Sequence, residues 1–257
     1  MLSAVVITNN AKDTIGPCLD ALLKVSSDVI VIDSGSNDGT KEICITKDVR
    51  YYLKRWEGYS ANKNFGNELA VNDYILSIDS DEILSDELIT YIKQEFKSSP
   101  SADAYNLRFI TNFCGKWIIY GGWNPEWHIR IFNRRLISWK ILDVHEVLSI
   151  KSNHRVKKLK GKVLHYSYPT IKSHLHKIEN YTNLFAERSY KAGKSAGSFK
   201  KYGSAIFTFF SNYIIKLGFL DGYYGYVVAR NNAYYSFLKY KKLSEKKLEI
   251  ENPGNKY

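Results

Sequence analysis

Cysteine is scarce. Cys18, Cys44 and Cys114 are odd in number and far apart, so they assemble neither a disulfide framework nor a CxxC zinc site, and they read as reduced thiols of a cytosolic protein. With only 5 Pro and 16 Gly in 257 residues, collagen, mucin-like stalks and wholesale disorder are excluded. No uncharged run reaches the ~20 residues of a spanning helix; the longest, 202–215, is bounded by Lys201 and Lys216. The amino terminus MLSAVVITNN lacks a positive region, and its apolar run falls short of the ~7–15 residues of a signal-peptide core. It reads as a buried first strand. Neither a GxGxxG fingerprint nor a P-loop occurs, so dinucleotide and P-loop readings lack support.

What is present is a globular composition, 44% hydrophobic and 25% charged, enough for one or two domains. Its charge is uneven. Residues 1–150 hold 16 Lys+Arg against 20 Asp+Glu, a balance of −4, whereas residues 151–257 hold 21 against 6, a balance of +15. Such a basic segment predicts attraction to polyanions: nucleic acid, acidic phospholipid or lipid-linked phosphates.

Short apolar runs alternate with helical patterns from the start: LSAVVIT, a helix over 13–24, DVIVID, VRYYL, a helical SANKNFGNELA, then DYILSID. This βαβ rhythm predicts parallel strands flanked by helices. Ser85 before DELITYIKQEF is a helix N-cap, with acids in the first turn. Beyond residue 100 the strands turn aromatic and β-branched (AYNLRFIT, KWIIYGGW, HIRIFN, KVLHYSY), which predicts a mixed second half of the sheet. After Pro169, Ile171, Leu175, Ile178 and Phe185 recur at helical spacing, and the rest is helical, with breaks near 193–203 and 218–225.

Ligands of open α/β sheets sit at the carboxyl ends of strands. The first strand ends in Thr8, Asn9 and Asn10, the second in Asp33 and the run SGSNDGT, the fourth in Asp79, Ser80, Asp81 and Glu82. Two carboxylates one residue apart at a strand end suit a hard divalent cation that keeps positions open for diphosphate oxygens, although a bare D-x-D is equally a solvated turn or helix cap. Gly35 and Gly39 permit positive φ or close backbone approach, while Asp33 and Asp38 suit either a base or ribose or the capping of their own turn.

The order VVITNN, IVIDSGSNDGT, NKNFG, LSIDSDE resembles GT-A glycosyltransferases, and more narrowly the family 2 inverting enzymes of bacterial lipopolysaccharide core synthesis. GKWIIYGGWNPEWHIRIFNR, DVHE and VLHYSY are similar to that family's acceptor-side glycine loop, catalytic acid and C-terminal histidine, so the resemblance covers most of residues 1–190. It implies an α/β fold of the GT-A type: a Rossmann-like mixed central sheet flanked by helices, with a helical C-terminal extension. The expected division is a catalytic domain over 1–169, nucleotide-binding to about 100 and acceptor-side from 101, and a basic, aromatic-rich helical part over 170–257. By resemblance Thr8, Asn10 and Asp33 contact uridine, Lys63 the base or diphosphate region, and Asp79, Ser80 and Asp81 the nucleotide. Asp81 and His165 would hold Mn²⁺ or Mg²⁺. Glu146 matches the general base, which takes the proton of an acceptor hydroxyl as it attacks the anomeric carbon in line with the leaving nucleotide. Gly122, Trp123, Glu126 and His145 fall on the acceptor side, with core packing an equal reading for Trp123 and a slightly favoured one for His145. Ala11 stands where many relatives have an acid.

The resemblance therefore implies a UDP-sugar donor and a lipid-linked saccharide acceptor. The tract from Ser204 to Leu243, rich in Phe, Tyr and Ile and bordered by Lys, suits an anionic membrane surface or, alternatively, packing on the core. The expected location is cytoplasmic, peripheral on the inner face of the cytoplasmic membrane. Two other classes fit the sequence less well. A sugar-nucleotide-forming nucleotidyltransferase needs a Gly-rich basic loop after the first strand, which TNNAKDT is not. A nucleic-acid module lacks any RRM, KH, zinc-finger or helix-turn-helix signature, so no nucleic acid is expected as a partner.

Overall fold

The computed structural model describes residues 1–140, 147–195 and 197–251. Its contacts gather into two units: Met1–Ile110 with Glu126–Tyr166, and Thr111–Pro125 with the chain from Ser167 onward. The segment 111–125, assigned from sequence to the acceptor-side half, thus groups with the C-terminal helices.

The first unit begins with β1 (Leu2–Thr8), α1 (Lys12–Leu23), β2 (Asp28–Asp33), α2 (Thr40–Ile45), β3 (Arg50–Leu53) and α3 (Tyr59–Leu69). It continues through β4 (Tyr74–Asp79), β5 (Glu82–Leu84), α4 (Asp86–Glu95) and β6 (Ala104–Phe113), whose last residues pass into the second unit. β7 (Lys116–Ile118) belongs to the second unit. β8 (Glu126–Asn133), β9 (Trp139–Lys140), β10 (Val147–Leu148) and β11 (Val156–Lys158) return to the first, and β12 (Val163–Tyr168) leads out of it. α5 (Ile171–Lys191), α6 (Ser198–Phe210) and α7 (Gly222–Glu251) complete the second.

The strand order is β3-β2-β1-β4-β8-β6-β12-β5. The first four are parallel, and β8 is antiparallel to both β4 and β6. β1 and β2 are buried throughout, as strands covered by helices on both faces must be. On one face Val6, Val31 and Leu76 pack with Ile15 and Leu19 of α1 and Leu88 of α4; on the other, Val5, Ile30 and Ile32 pack with Phe65 and Leu69 of α3. α3 lies so near β1 that a Cβ on Gly66 would sit 2.4 Å from Val5 Cγ1. Register aligns the ends of these strands, since Thr8 pairs with Asp33 and Ile7 with Asp79. Three polar strand ends therefore open at one edge of the sheet.

β8 carries an irregularity. Ile131 faces Tyr105 of β6, yet Ile129 faces the very next residue, Asn106, so Arg130 has no opposite number in that ladder. This is a β-bulge, a device that re-aims side chains.

Ser85 caps α4 as expected, its Oγ accepting from Leu88 N at 3.3 Å, with Asp86 and Glu87 in the first turn. At the far end, Glu95 accepts from Lys157 Nζ (2.6 Å), Ser101 Oγ (2.5 Å) and Tyr105 OH (2.9 Å). Burial alone would raise its pKa, but those donors bring it from 4.5 to about 2. A depressed carboxyl stabilises the fold fully above its unfolded value and loses that contribution as the pH falls through its folded value. Denaturation midpoints measured across pH 4.5 to 2 should therefore fall, and Glu95→Gln should flatten that part of the profile.

In the second unit, Phe113, Ile118, Val227 and Val228 form a buried cluster against which Trp123, Tyr168 and Tyr224 pack. KWIIYGGW is strand over Lys116–Ile118, and the interruption expected at Gly121 and Gly122 is a 3-10 turn over Gly121–Trp123 that opens with Gly121 at φ +76°.

Candidate active site

At the end of β4 the sequence Asp79-Ser80-Asp81-Glu82 turns within two residues into β5, which pairs antiparallel with β12 so that Glu82 lies opposite His165. The turn divides its acids between two tasks. Asp79 and Glu82 point into a buried ionic network. Asp79 Oδ1 lies 3.0 Å from Lys63 Nζ, and its Oδ2 accepts from Arg130 at 3.3 Å. Arg130 also donates to Glu82 Oε1 at 2.6 Å, and Glu82 Oε2 accepts from the Asp79 amide at 3.0 Å. Lys63 and Glu82 are 1% exposed and Arg130 12%, so the network is anchored in the interior, while Asp79, at 28%, forms its solvent-facing end. Burial presses the Asp79 carboxyl upward, but the Lys63 and Arg130 charges hold it well below the usual carboxylate range. Burial wins at Glu82, whose pKa is raised despite Arg130, with the Asp79 charge adding to the rise.

Asp81 faces the other way. Its Oδ2 lies 3.4 Å from His165 Nε2, and both side chains reach solvent. Burial works to lower the His165 pKa, but Asp81, Glu82 and Asp79 together raise it above its ordinary value. Phe109 organises the surroundings: Arg130 lies over its ring at 5.3 Å, and His128 and His165 meet its edge at 4.9 and 6.1 Å. Glu126 accepts from or pairs with His128 at 2.7 Å. Burial would raise the Glu126 pKa, but His128, His165 and Arg130 lower it.

A carboxylate oxygen and an imidazole nitrogen this close, both accessible and not consumed by the Lys63–Asp79–Arg130–Glu82 network, are suitable ligands for one small divalent cation. Among the described residues no group of three His, Cys, Asp or Glu is arranged to hold a metal. Two donors from the chain would leave the remaining positions to ligand oxygens, the usual situation for Mg²⁺ or Mn²⁺ beside a diphosphate.

The other strand ends are built differently. Asp33 is fully buried, and its carboxylate is saturated: Oδ1 accepts from Gly35 N (2.9 Å), Ser36 N (2.9 Å) and Ser36 Oγ (2.8 Å), and Oδ2 from Tyr51 OH (2.8 Å). Asp33 shapes the loop after β2. Asn10, at φ 51°, is cross-linked to that loop, its amide donating to Ser36 Oγ (2.8 Å) and its Oδ1 accepting from Asn37 N (2.9 Å). Asp38 Oδ1 accepts from Thr40 N and Oγ1, at 3.0 and 2.6 Å, at the start of α2. Thr8 is 4% exposed, and its Oγ1 has no hydrogen-bond partner among the described residues. Ser80 sits half-buried in the turn itself.

Gly122 and Trp123 belong to the second unit. A Cβ on Gly122 would lie 2.5 Å from Asn212 Oδ1. Trp123 stacks on Tyr168 at 5.2 Å and donates from Nε1 to Asn232 Oδ1 at 3.3 Å, as a packed side chain does. His145 and Glu146 lie outside the described residues.

The model described as Glycosyl transferase family 2 matches residues 3–155, more than half of the chain and the whole of the Asp79–Glu82 turn. The chain belongs to glycosyltransferase family 2. An uncharacterized glycosyltransferase of Rickettsia typhi is 28% identical over 98% of this chain and 89% of its own length. The lipopolysaccharide core biosynthesis glycosyltransferase LpsC of Rhizobium meliloti is 24% identical over 95% of this chain and 92% of its own. Among solved structures, residues 1–349 of S. aureus TarS align over 97% of this chain and 91% of that one, with 14% identity and a TM-score of 0.46. This family 2 transferase has the GT-A type of sheet that its motifs imply, four parallel strands followed by a reversed β8 and then β6, which runs with the first four.

Arg130 and His128 are not among the residues that the sequence singles out, and Glu82 appears there only as part of a polar strand end, yet the three complete the transferase's charged cluster. Their signal is a period of two: Glu126, His128 and Arg130 alternate along EWHIRI. Arg130 in particular holds two carboxylates, so Arg130→Met should lower stability by about 3–5 kcal/mol, the usual cost of leaving buried charge uncompensated. Urea denaturation of the two proteins would measure it.

Proposed function

We propose that the chain transfers a hexose, with inversion, from a UDP-sugar to a hydroxyl of a lipid-linked saccharide of the lipopolysaccharide core kind, assisted by Mn²⁺ or Mg²⁺. The observation that carries this reading is the approach of Asp81 Oδ2 to His165 Nε2, 3.4 Å apart at the strand-end edge and beside a separate buried network. Those two side chains would hold the cation, whose charge would stabilise the departing diphosphate. The unpartnered Thr8 Oγ1 supports a ligand at the same edge, because a buried hydroxyl without a partner costs about 1–3 kcal/mol until something bonds it. Asn10 and the loop that Asp33 shapes would line the uridine side. Lys63 acts on the nucleotide through Asp79, which it keeps ionised and in place. The relative named for lipopolysaccharide core biosynthesis supports the acceptor class.

In the transfer itself the acceptor O–H bond breaks as its oxygen bonds the anomeric carbon, and the bond from that carbon to the diphosphate oxygen breaks with its electrons leaving on UDP. The proton goes to Glu146. A single displacement of this kind inverts the anomeric centre and requires no covalent sugar–enzyme intermediate. Glu126, ionised beside His128, lies on the strand that bears Arg130 and would receive acceptor or sugar hydroxyls; His145 is the other acceptor-side residue of this reading. A panel of UDP- and GDP-sugars, assayed for hydrolysis and for binding with Mn²⁺ or with a chelator, tests it. Metal-dependent use of a UDP-sugar is the expected result; preference for a GDP-sugar, or indifference to the chelator, would overturn the corresponding part.

A further inference from the structure

Within the second unit, α6 has two unlike faces. Ser204 and Thr208, one turn apart, reach Ser236 of α7, Ser204 Oγ donating to the Ser236 carbonyl at 3.4 Å and the Thr208 and Ser236 hydroxyls 3.0 Å apart. Phe209 stacks on Tyr213 and meets Tyr226 edge-on. These contacts fix the inward side. Away from it, Phe199, Ile206, Phe207 and Phe210 follow one another at helical steps and are 91, 59, 69 and 56% exposed, with Tyr202 (59%) at the border, its ring 5.5 Å from that of Phe237 in α7. The apolar exposure runs on to Ile215 (71%) and Tyr223 (67%). Large aromatic and aliphatic side chains ranked along one face are what a soluble surface avoids unless the face meets something.

Charge says what it meets. From residue 188 to residue 244 the chain has ten Lys and Arg and a single acid, Asp221. That acid is buried, accepting from the Ile119 and Tyr120 amides at 3.0 and 2.8 Å. Lys201 and Lys216 are interspersed with the apolar stripe itself, and Lys200 borders it, its Nζ over the Tyr240 ring of α7 at 5.1 Å. Two copies apposed through this face would bring like charge together, whereas an anionic lipid surface complements it and accepts aromatic rings at headgroup level. No single helix among the described residues is long and apolar enough to cross a membrane; Phe199–Ile215 and Gly218–Lys247 reach that length and composition only as a pair bent by 71°, and Val227, Val228, Leu238 and Leu243 turn the apolar side of α7 inward.

We propose that the exposed face of α6 and the turn after it lies in the plane of an anionic bilayer, with Phe199, Phe207 and Phe210 inserted at the headgroup boundary and the neighbouring lysines against lipid phosphates. This goes beyond the donor chemistry and is read without any sugar nucleotide.

Flotation of the full-length protein with phosphatidylcholine vesicles, with and without about one-third phosphatidylglycerol, tests it. Binding is expected only to the anionic vesicles, weakening as salt is raised. Phe207→Ser with Phe210→Ser should weaken that binding roughly tenfold or more, with the melting temperature and UDP binding unchanged. A separate Phe207→Trp protein should show a blue-shifted emission on anionic vesicles that brominated lipid quenches. Equal binding to neutral vesicles, no binding to either, an unquenched reporter, or a self-association that the serine pair abolishes while lipid has no effect would each overturn the proposal.

Discussion

Replacing Asp81 by alanine should leave a folded protein that binds UDP about a hundredfold or more weakly in Mn²⁺, with no difference between Mn²⁺ and chelator. The expectation follows from how the turn after β4 distributes its charge. Asp79 and Glu82 are tied to Lys63 and Arg130, so removing either releases a buried cation. Asp81 is tied to His165 alone among these groups and reaches solvent, so its loss costs little folding energy. Calorimetric titration of UDP, with and without metal, reads the effect directly, and a melting curve provides the control. An Asp81→Ala protein that retained metal-supported UDP binding would remove the basis of the donor reading. Asp79→Ala offers the contrast: its main effect should be on stability.

Glu146→Gln should bind donor as tightly as the parent and lose transfer by about a hundredfold to ten-thousandfold, the range general base catalysis supplies. Glutamine keeps the shape of the side chain and its capacity to hydrogen-bond, and loses only the ability to take a proton. Single-turnover transfer assays beside UDP titrations separate the two steps. Transfer at the parent rate would refute the assignment of Glu146. A loss of donor affinity equal to the loss of rate would place the residue on the nucleotide side instead.

Much of this site is legible in the sequence because it depends on strand ends. LSAVVIT, DVIVID and YILSID announce buried parallel strands, and the polar residues after them must then share an edge, as the pairings of Thr8 with Asp33 and of Ile7 with Asp79 show. Ser85 is readable as a cap because N-caps follow local chemistry. Arg130 is not readable in the same way. Which carboxylates it meets depends on the register of β8 between β4 and β6, a long-range property that no local pattern encodes. Asp33 shows the converse difficulty: its position was evident, but that its four hydrogen bonds close on its own loop and on Tyr51 depends on how β3 lies beside β2. The sequence around KWIIYGGW is rich in strand-forming residues, yet the strand ends at Ile118, because the Ile119 and Tyr120 amides donate to the distant Asp221 rather than to a ladder.

The slip at Arg130 lets two consecutive residues serve the same side of β8, Arg130 over Phe109 and Ile131 in the core cluster with Tyr105 and Leu107. An ideal ladder forbids this, since neighbours alternate. A chain shortened by that one residue would regain unbroken pairing and forfeit its guanidinium, so the most regular version of this sheet is also one whose carboxylates are left facing each other.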